Sequence, residues 1–224
     1  MEDQTPIRNA ATLILVRDRD SKPSVLMGQR GHTAAFMPSK FVFPGGAADE
    51  FDAAVGDTLR IAPSCRKRLA QDPSSEIAPE TLVAAAIREL WEETGLRMAR
   101  PGDWPLDRHP DWAGFFENGL APEPEGLTYF FRAITPEGRP RRFDARFFVG
   151  DADRLFDDPD DFSLASDELS HLQWIPLNQA ASFDLPFITQ VVLAEVEANL
   201  DRLAEPGAVP FYDNRSKPGR FRYL

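Results

Sequence analysis

Cysteine is almost missing: Cys65 stands alone among 224 residues. A single thiol excludes an intrachain disulfide and a zinc site built from cysteines. It is compatible with a reducing compartment, and a cytoplasmic location is expected. Histidine is scarce as well. His32, His109 and His171 are scattered and match no metal-ligand spacing. Long apolar runs are absent. The first, Ala10 to Val16, falls well short of the roughly 20 residues of a membrane span. Glu2 and Asp3 precede it in place of a basic region, so it does not read as a signal peptide. Positive charge is in deficit, with 25 Lys and Arg against 36 Asp and Glu and a net charge of -11. Such a surface disfavours nucleic acid and anionic membranes as partners. No internal repeat, nucleophile elbow or Walker loop is found.

What is present is an apolar fraction of 42%, enough for a packed core. The first third reads as strands. Ala11–Val16 and Val25–Arg30 form a hairpin across the turn-like Asp18–Pro23, and Phe41–Phe43 runs into a Pro44-Gly45-Gly46 turn. Residues 52–75 show no clean period, with a short helix expected within 59–70. Pro79–Glu93 is the clearest helix. Pro79 suits its first position, Glu80 its positive end and Gly95 its left-handed cap. Arg100–Gly126 reads as a loop carrying a short helix near 112–118. Thr128–Ile134 and Phe143–Val149 pair as strands, His171–Ile175 is another strand, and Phe187–Leu203 is a second amphipathic helix. This order predicts an α+β domain with a mixed central sheet. One domain over 1–224 is expected, with insertions near 53–78 and 100–126 and a basic tail at 206–224.

The chemistry concentrates in Arg88-Glu89-Leu90-Trp91-Glu92-Glu93-Thr94-Gly95-Leu96. On a helix, Glu89, Glu92 and Glu93 share one face. Val83, Ile87, Leu90 and Thr94 lie on another, roughly 130° away at about 100° per residue. The helix buries one stripe while presenting three carboxylates that repel one another. Hard oxygen ligands in that arrangement suit Mg²⁺ or Mn²⁺. A solvated glutamate-rich face is the bland alternative. Gly45 and Gly46, upstream, permit close approach of a ligand to the backbone.

Gly46, Asp52 and the 88–96 run together resemble the Nudix box of the Nudix hydrolases. That box reads Gly, five residues, Glu, seven residues, then Arg-Glu-apolar-x-Glu-Glu-x-Gly-apolar. The second half matches at every fixed position. In the first half, Asp52 stands where Glu is usual, and 35 residues (53–87) replace seven. The split implies an insertion of about 28 residues. It resembles the acyl-CoA diphosphatase branch, as do Val25–Arg30, Phe43–Gly46, Pro140–Phe148 and Leu185-Pro186-Phe187. In the wider CoA-type signature an Arg and a Gly normally stand where this chain has Ala35 and Ser39.

The resemblance implies a Nudix-type α/β/α sandwich and metal-dependent hydrolysis of a diphosphate. A CoA derivative is the favoured small-molecule nucleoside diphosphate substrate. ADP-ribose, a dinucleotide or a nucleotide sugar is the alternative, and a non-catalytic nucleotide sensor a third. Glu92 and Glu93 are the expected core ligands of Mg²⁺ or Mn²⁺, Glu89 is either a third ligand or the base that orients the water, and the Gly46 carbonyl is a further donor. Arg88 steadies a carboxylate, and Gly45 lines the substrate side. Some Nudix enzymes place a further acid outside the box, and Glu168 is the candidate here. Arg139, Arg141, Arg142 and Arg146 make a basic patch. They either bind phosphate, as Arg30 is also expected to do, or pair with surface acids. Segment 53–78 shapes either the substrate mouth or a homodimer contact.

Overall fold

The computed structural model describes residues 5–71, 77–216 and 218–224. Residues 72–76 of the expected insertion, and Lys217 of the tail, lie outside the described residues.

The first strand, β1 (Ile7–Arg17), is the axis of the fold. Its alternation is two-sided. Leu13 and Leu15 pack into one core and Ile14 and Val16 into another, all of them buried. A turn leads to β2 (Ser24–Arg30), then β3 (Phe41–Val42) and β4 (Gly45–Ala47). The Gly45-Gly46 pair is therefore a strand on β1, with Ala11 opposite Gly46, where the sequence suggested only a turn. The helix α1 (Glu50–Thr58) follows. No apolar period announces it. It is started by a capping box in which Asp49 accepts from Phe51 N–H while Asp52 accepts from Asp49 N–H at 2.8 Å. The short helix expected in 59–70 is α2 (Pro63–Leu69).

α3 (Pro79–Thr94) starts at Pro79 and ends where Gly95 takes φ +75° and donates to Trp91 O at 2.8 Å. Val83, Ile87, Leu90 and Thr94 are all buried on its sheet-facing stripe. The 100–126 segment is not a plain loop. It carries a ribbon of β5 (Ala99–Pro101) and β6 (Leu120–Pro122) around α4 (Ala113–Phe116). Trp104 and Trp112 pack there against Phe116 and Phe115.

The sheet continues with β7 (Thr128–Ile134), β8 (Arg142–Asp151) and β9 (Leu169–Pro176). After α5 (Phe187–Ala198) and a 3₁₀ turn at Leu200–Arg202, β10 (Pro210–Asp213) and β11 (Arg220–Tyr223) complete it. The predicted helix thus stops at residue 198, and the basic tail forms edge strands rather than a free segment. Among the described residues the strand order is β11-β10-β7-β8-β1-β2-β3, with β4 beside β1 and β9 beside β2. β1–β8 and β7–β10 run parallel and the other pairs antiparallel, so the sheet is mixed. α3 covers one face and α5 the other, each over its own apolar cluster. This is the expected α/β/α sandwich. No helix among the described residues is long and apolar enough to cross a membrane.

Candidate active site

The site forms where α3 crosses β4. A Cβ on Gly46 would overlap the Glu89 carboxylate, so glycine lets that carboxylate lie against the β4 backbone without being displaced. Gly45 N–H donates to Glu93 Oε2 at 2.7 Å. Arg88 gathers the rest. Its Nε and Nη2 donate to the two Asp52 oxygens at 2.9 Å each. Its Nη1 donates to Glu89 at 3.0 Å and Glu92 at 2.5 Å, and Nη2 also reaches Ala47 O at 3.0 Å. Asp52 and Arg88 are 36 positions apart in the chain and both buried. The paired, fork-like geometry compensates for the shorter aspartate.

Charge and burial are poorly balanced here. Burial, with the Glu92 and Glu168 charges added and Arg88 opposing, pushes the Glu89 carboxyl up to about 7. Burial and the Glu89 charge raise Glu93 well above the ordinary carboxylate range, despite the Gly45 N–H. Glu92 moves the same way through burial, against the pull of Arg88. Burial disfavours the Arg88 charge, but Asp52, Glu89 and Glu92 outweigh it and hold its pKa above the usual value. Glu93 Oε1 is buried without a hydrogen-bond partner among the described residues. The nearest cation to it is Arg30, with Nη1 at 3.9 Å. Arg30 Nη2 donates to Glu168 at 3.0 Å.

The fold therefore brings Arg88, Glu89, Glu92, Glu93, Gly45, Gly46, Arg30 and Glu168 to one place. No three acidic, histidine or cysteine side chains among the described residues converge closely enough to cage an ion as they stand. Glu89 and Glu92 are instead drawn onto Arg88. The donor chemistry nevertheless fits a hard divalent cation, because an unpartnered buried carboxylate oxygen and raised pKa values mark negative charge in need of compensation.

The expected basic patch divides. Arg139 and Arg141 are exposed, whereas Arg142 and Arg146 are buried. Arg146 donates to Asn9 Oδ1 at 2.7 Å and Asp144 O at 2.8 Å, and Arg132 grips both Asp144 oxygens at 2.8 and 2.6 Å. Arg142 donates to Thr135 O. These arginines are not a surface patch, because neighbouring strands cover them. Period-two alternation identifies a face but not what covers it. Asp49, Asn9 and Arg132 were not anticipated. The Asp49-x-x-Asp52 capping pattern was the one signal available for the first of them.

A family model for the NUDIX domain matches residues 76–196, more than half of the chain. The chain is similar to "Putative nudix hydrolase 7" of Caenorhabditis elegans, with 31% identity over 179 residues. That match covers 75% of this chain and 51% of the relative, so the chain spans about half that protein's length. The crystal structure of a NUDIX hydrolase from Alicyclobacillus acidocaldarius aligns with TM-score 0.67 and 30% identity, over 91% of this chain and 100% of that one. A MutT protein from Methanosarcina mazei Go1 shares the fold at TM-score 0.50 and 15% identity, over 91% and 99% of the two chains. The family match, together with a 30% identical structure aligned over its full length, places this protein in the NUDIX family.

Proposed function

We propose that this chain is a metal-dependent diphosphatase that hydrolyses the diphosphate bond of CoA or acyl-CoA. Water is consumed, and 3′,5′-ADP and (acyl-)4′-phosphopantetheine are released. One observation carries the diphosphatase reading. Glu89 lies against Gly46, Glu93 accepts from the Gly45 N–H, Arg88 holds Glu92 with Glu89, and a buried Glu93 oxygen there has no hydrogen-bond partner among the described residues. Nudix hydrolases generally use divalent metals, and Glu89, Glu92 and Glu93 with the Gly46 carbonyl would hold Mg²⁺ or Mn²⁺ here. When bound, such a cation neutralises the diphosphate oxygens and eases deprotonation of the attacking water.

The chain's own groups do the rest. The Asp52–Arg88 lock fixes the α3 carboxylates against the glycine edge, which is the positioning that in-line attack at phosphorus requires. Arg88 is shared by Glu89 and Glu92 and takes up part of their charge. Arg30, between Glu93 and Glu168, is placed to turn toward a phosphate oxygen. Glu168 accepts the proton of the attacking water or orients that water. Arg142 and Arg146 lie in β8, parallel to β1 and two strands from Gly46. Buried and bonded to Thr135, Asn9 and Asp144, they hold the sheet under the site in place of the phosphate contact the sequence suggested.

The CoA preference rests on the split box and on the 25–30, 43–46 and 140–148 stretches described above. The chain acts as one domain, in the cytoplasm. Ala35 and Ser39 depart from the CoA-type signature and favour a second reading, in which ADP-ribose, a dinucleotide or a nucleotide sugar is cleaved. Mass spectrometry of products from a mixed panel with Mg²⁺ or Mn²⁺ decides. Release of 3′,5′-ADP from CoA species supports the first reading. Turnover of ADP-ribose with CoA untouched overturns it.

A further inference from the structure

We propose that a one-residue bulge in β9, built on His171 and admitted by Gly28, is the device that delivers Glu168 to Arg30 and the glutamates. Gly28 and His171 are then positioning residues. The inference rests on the reading that Glu168 acts in the hydrolysis.

The register shows the bulge directly. Met27 stands opposite Gln173, and two residues further along β2, Gln29 stands opposite Ser170. Gly28 alone therefore faces two residues, His171 and Leu172. His171 takes φ +51°, the left-handed region that L side chains seldom adopt. A left-handed first residue is one of the standard ways a strand accommodates an extra residue, and such bulges re-aim side chains. On the facing strand, a Cβ at Gly28 would lie 2.8 Å from Leu169 Cβ and 2.9 Å from a Leu172 methyl carbon. Only glycine leaves room for the doubled strand.

The extra residue changes what meets the site. With it, Leu169 stands opposite Arg30. Without it, Ser170 would stand there, and Glu168 would lie one residue further from its partner. Leu169 is buried and anchors the strand end. The next residue toward the N-terminus, Glu168, then reaches Arg30 Nη2 at 3.0 Å, while Arg30 Nη1 faces Glu93. The His171 ring is exposed and lies beside the Ser170 hydroxyl at 3.1 Å. What His171 supplies is therefore its backbone conformation rather than its imidazole.

That distinction gives the test. Glu168→Gln, His171→Gly, His171→Val and the His171→Val/Glu168→Gln double variant are compared on CoA, ADP-ribose and diadenosine tetraphosphate with Mn²⁺. Glycine keeps the left-handed conformation and valine opposes it. His171→Gly is expected to stay within about twofold of the wild-type kcat. His171→Val is expected to lose about tenfold or more in kcat, with KM changed less than about threefold. The double variant loses no more than Glu168→Gln alone, because the two act through one group. A crystal structure of His171→Val shows the Glu168–Arg30 contact broken. If His171→Val melts early, Gly28→Ala supplies the same displacement. Equal losses in His171→Gly and His171→Val overturn the inference, as does a wild-type kcat in both His171→Val and Gly28→Ala. Full activity of Glu168→Gln instead removes the role given to Glu168 itself.

Discussion

Two buried charged assemblies lie on this sheet, and they are balanced in opposite ways. Within β7 and β8, one carboxylate, Asp144, meets two guanidinium groups, Arg132 and Arg146. At the glycine edge, one guanidinium, Arg88, serves Asp52, Glu89 and Glu92, while Glu93 is left with a backbone N–H and a distant Arg30. The first arrangement satisfies its acid and stiffens the sheet. The second holds acids whose charged form burial disfavours, so the folded chain keeps carboxyl groups whose ionisation a bound cation would favour. A protein built only for stability would not leave Glu93 this way, and the contrast separates scaffold from chemistry.

The sharpest way to break the contrast is to neutralise the acids one at a time. Glu92→Gln or Glu93→Gln should lower kcat by about a thousandfold with the fold intact, read by steady-state kinetics beside circular dichroism. Asp144→Asn should do the reverse. It leaves two buried guanidinium groups with a weakened partner, costs about 3 kcal/mol and lowers Tm by roughly 10 °C, with a much smaller effect on kcat at temperatures where the variant is folded.

The pH dependence sharpens it further. Glu89 titrates near 7 in the folded protein against 4.5 ordinarily, and Glu93 is displaced in the same direction. The folded chain therefore keeps protons that the unfolded chain has released. The stability Glu89 contributes is complete below about pH 4.5 and is lost as pH rises through 7, an effect on the order of 3 kcal/mol, and Glu93 acts in the same direction. Thermal melts of metal-free protein should show that decline, and saturating Mg²⁺ or Mn²⁺ should flatten it. A metal-independent slope would mean that the cation is held elsewhere.

The smallest expected effect lies in the loop before β3. Ser39 takes φ +60°, which favours the glycine of the CoA-type signature. Ser39→Gly should gain about 0.5 kcal/mol, since relief of the left-handed strain slightly exceeds the entropy that glycine adds to the unfolded chain. Denaturant melts measure it.

The glutamate face of α3 was legible because its pattern is local. Pro79 and Gly95 bracket the helix, and the 3.6-residue period places Glu89, Glu92 and Glu93 without any tertiary knowledge. α1 was not legible, since it is held by the Asp49–Asp52 box and its contacts with α3 rather than by an apolar stripe. β10 and β11 were missed because short strands at a sheet edge carry little alternation, and every residue of β11 is exposed. The burial of Arg142 and Arg146 depends in part on β1, which lies beside β8 in space but is remote from it in sequence. The bulge at His171 was invisible for the same reason, since a strand's register exists only relative to its neighbour.

The Arg88 fork has one more consequence. It fastens α1 to α3 by side-chain contacts, so the two helices are held together across a long intervening stretch of chain. Exposed positions of α2, such as Ser64 and Lys67, can then take new surface chemistry while the carboxylates stay where they are. Evolution, or a designer, is thereby free to restyle the neighbourhood of the site without touching its reactive centre.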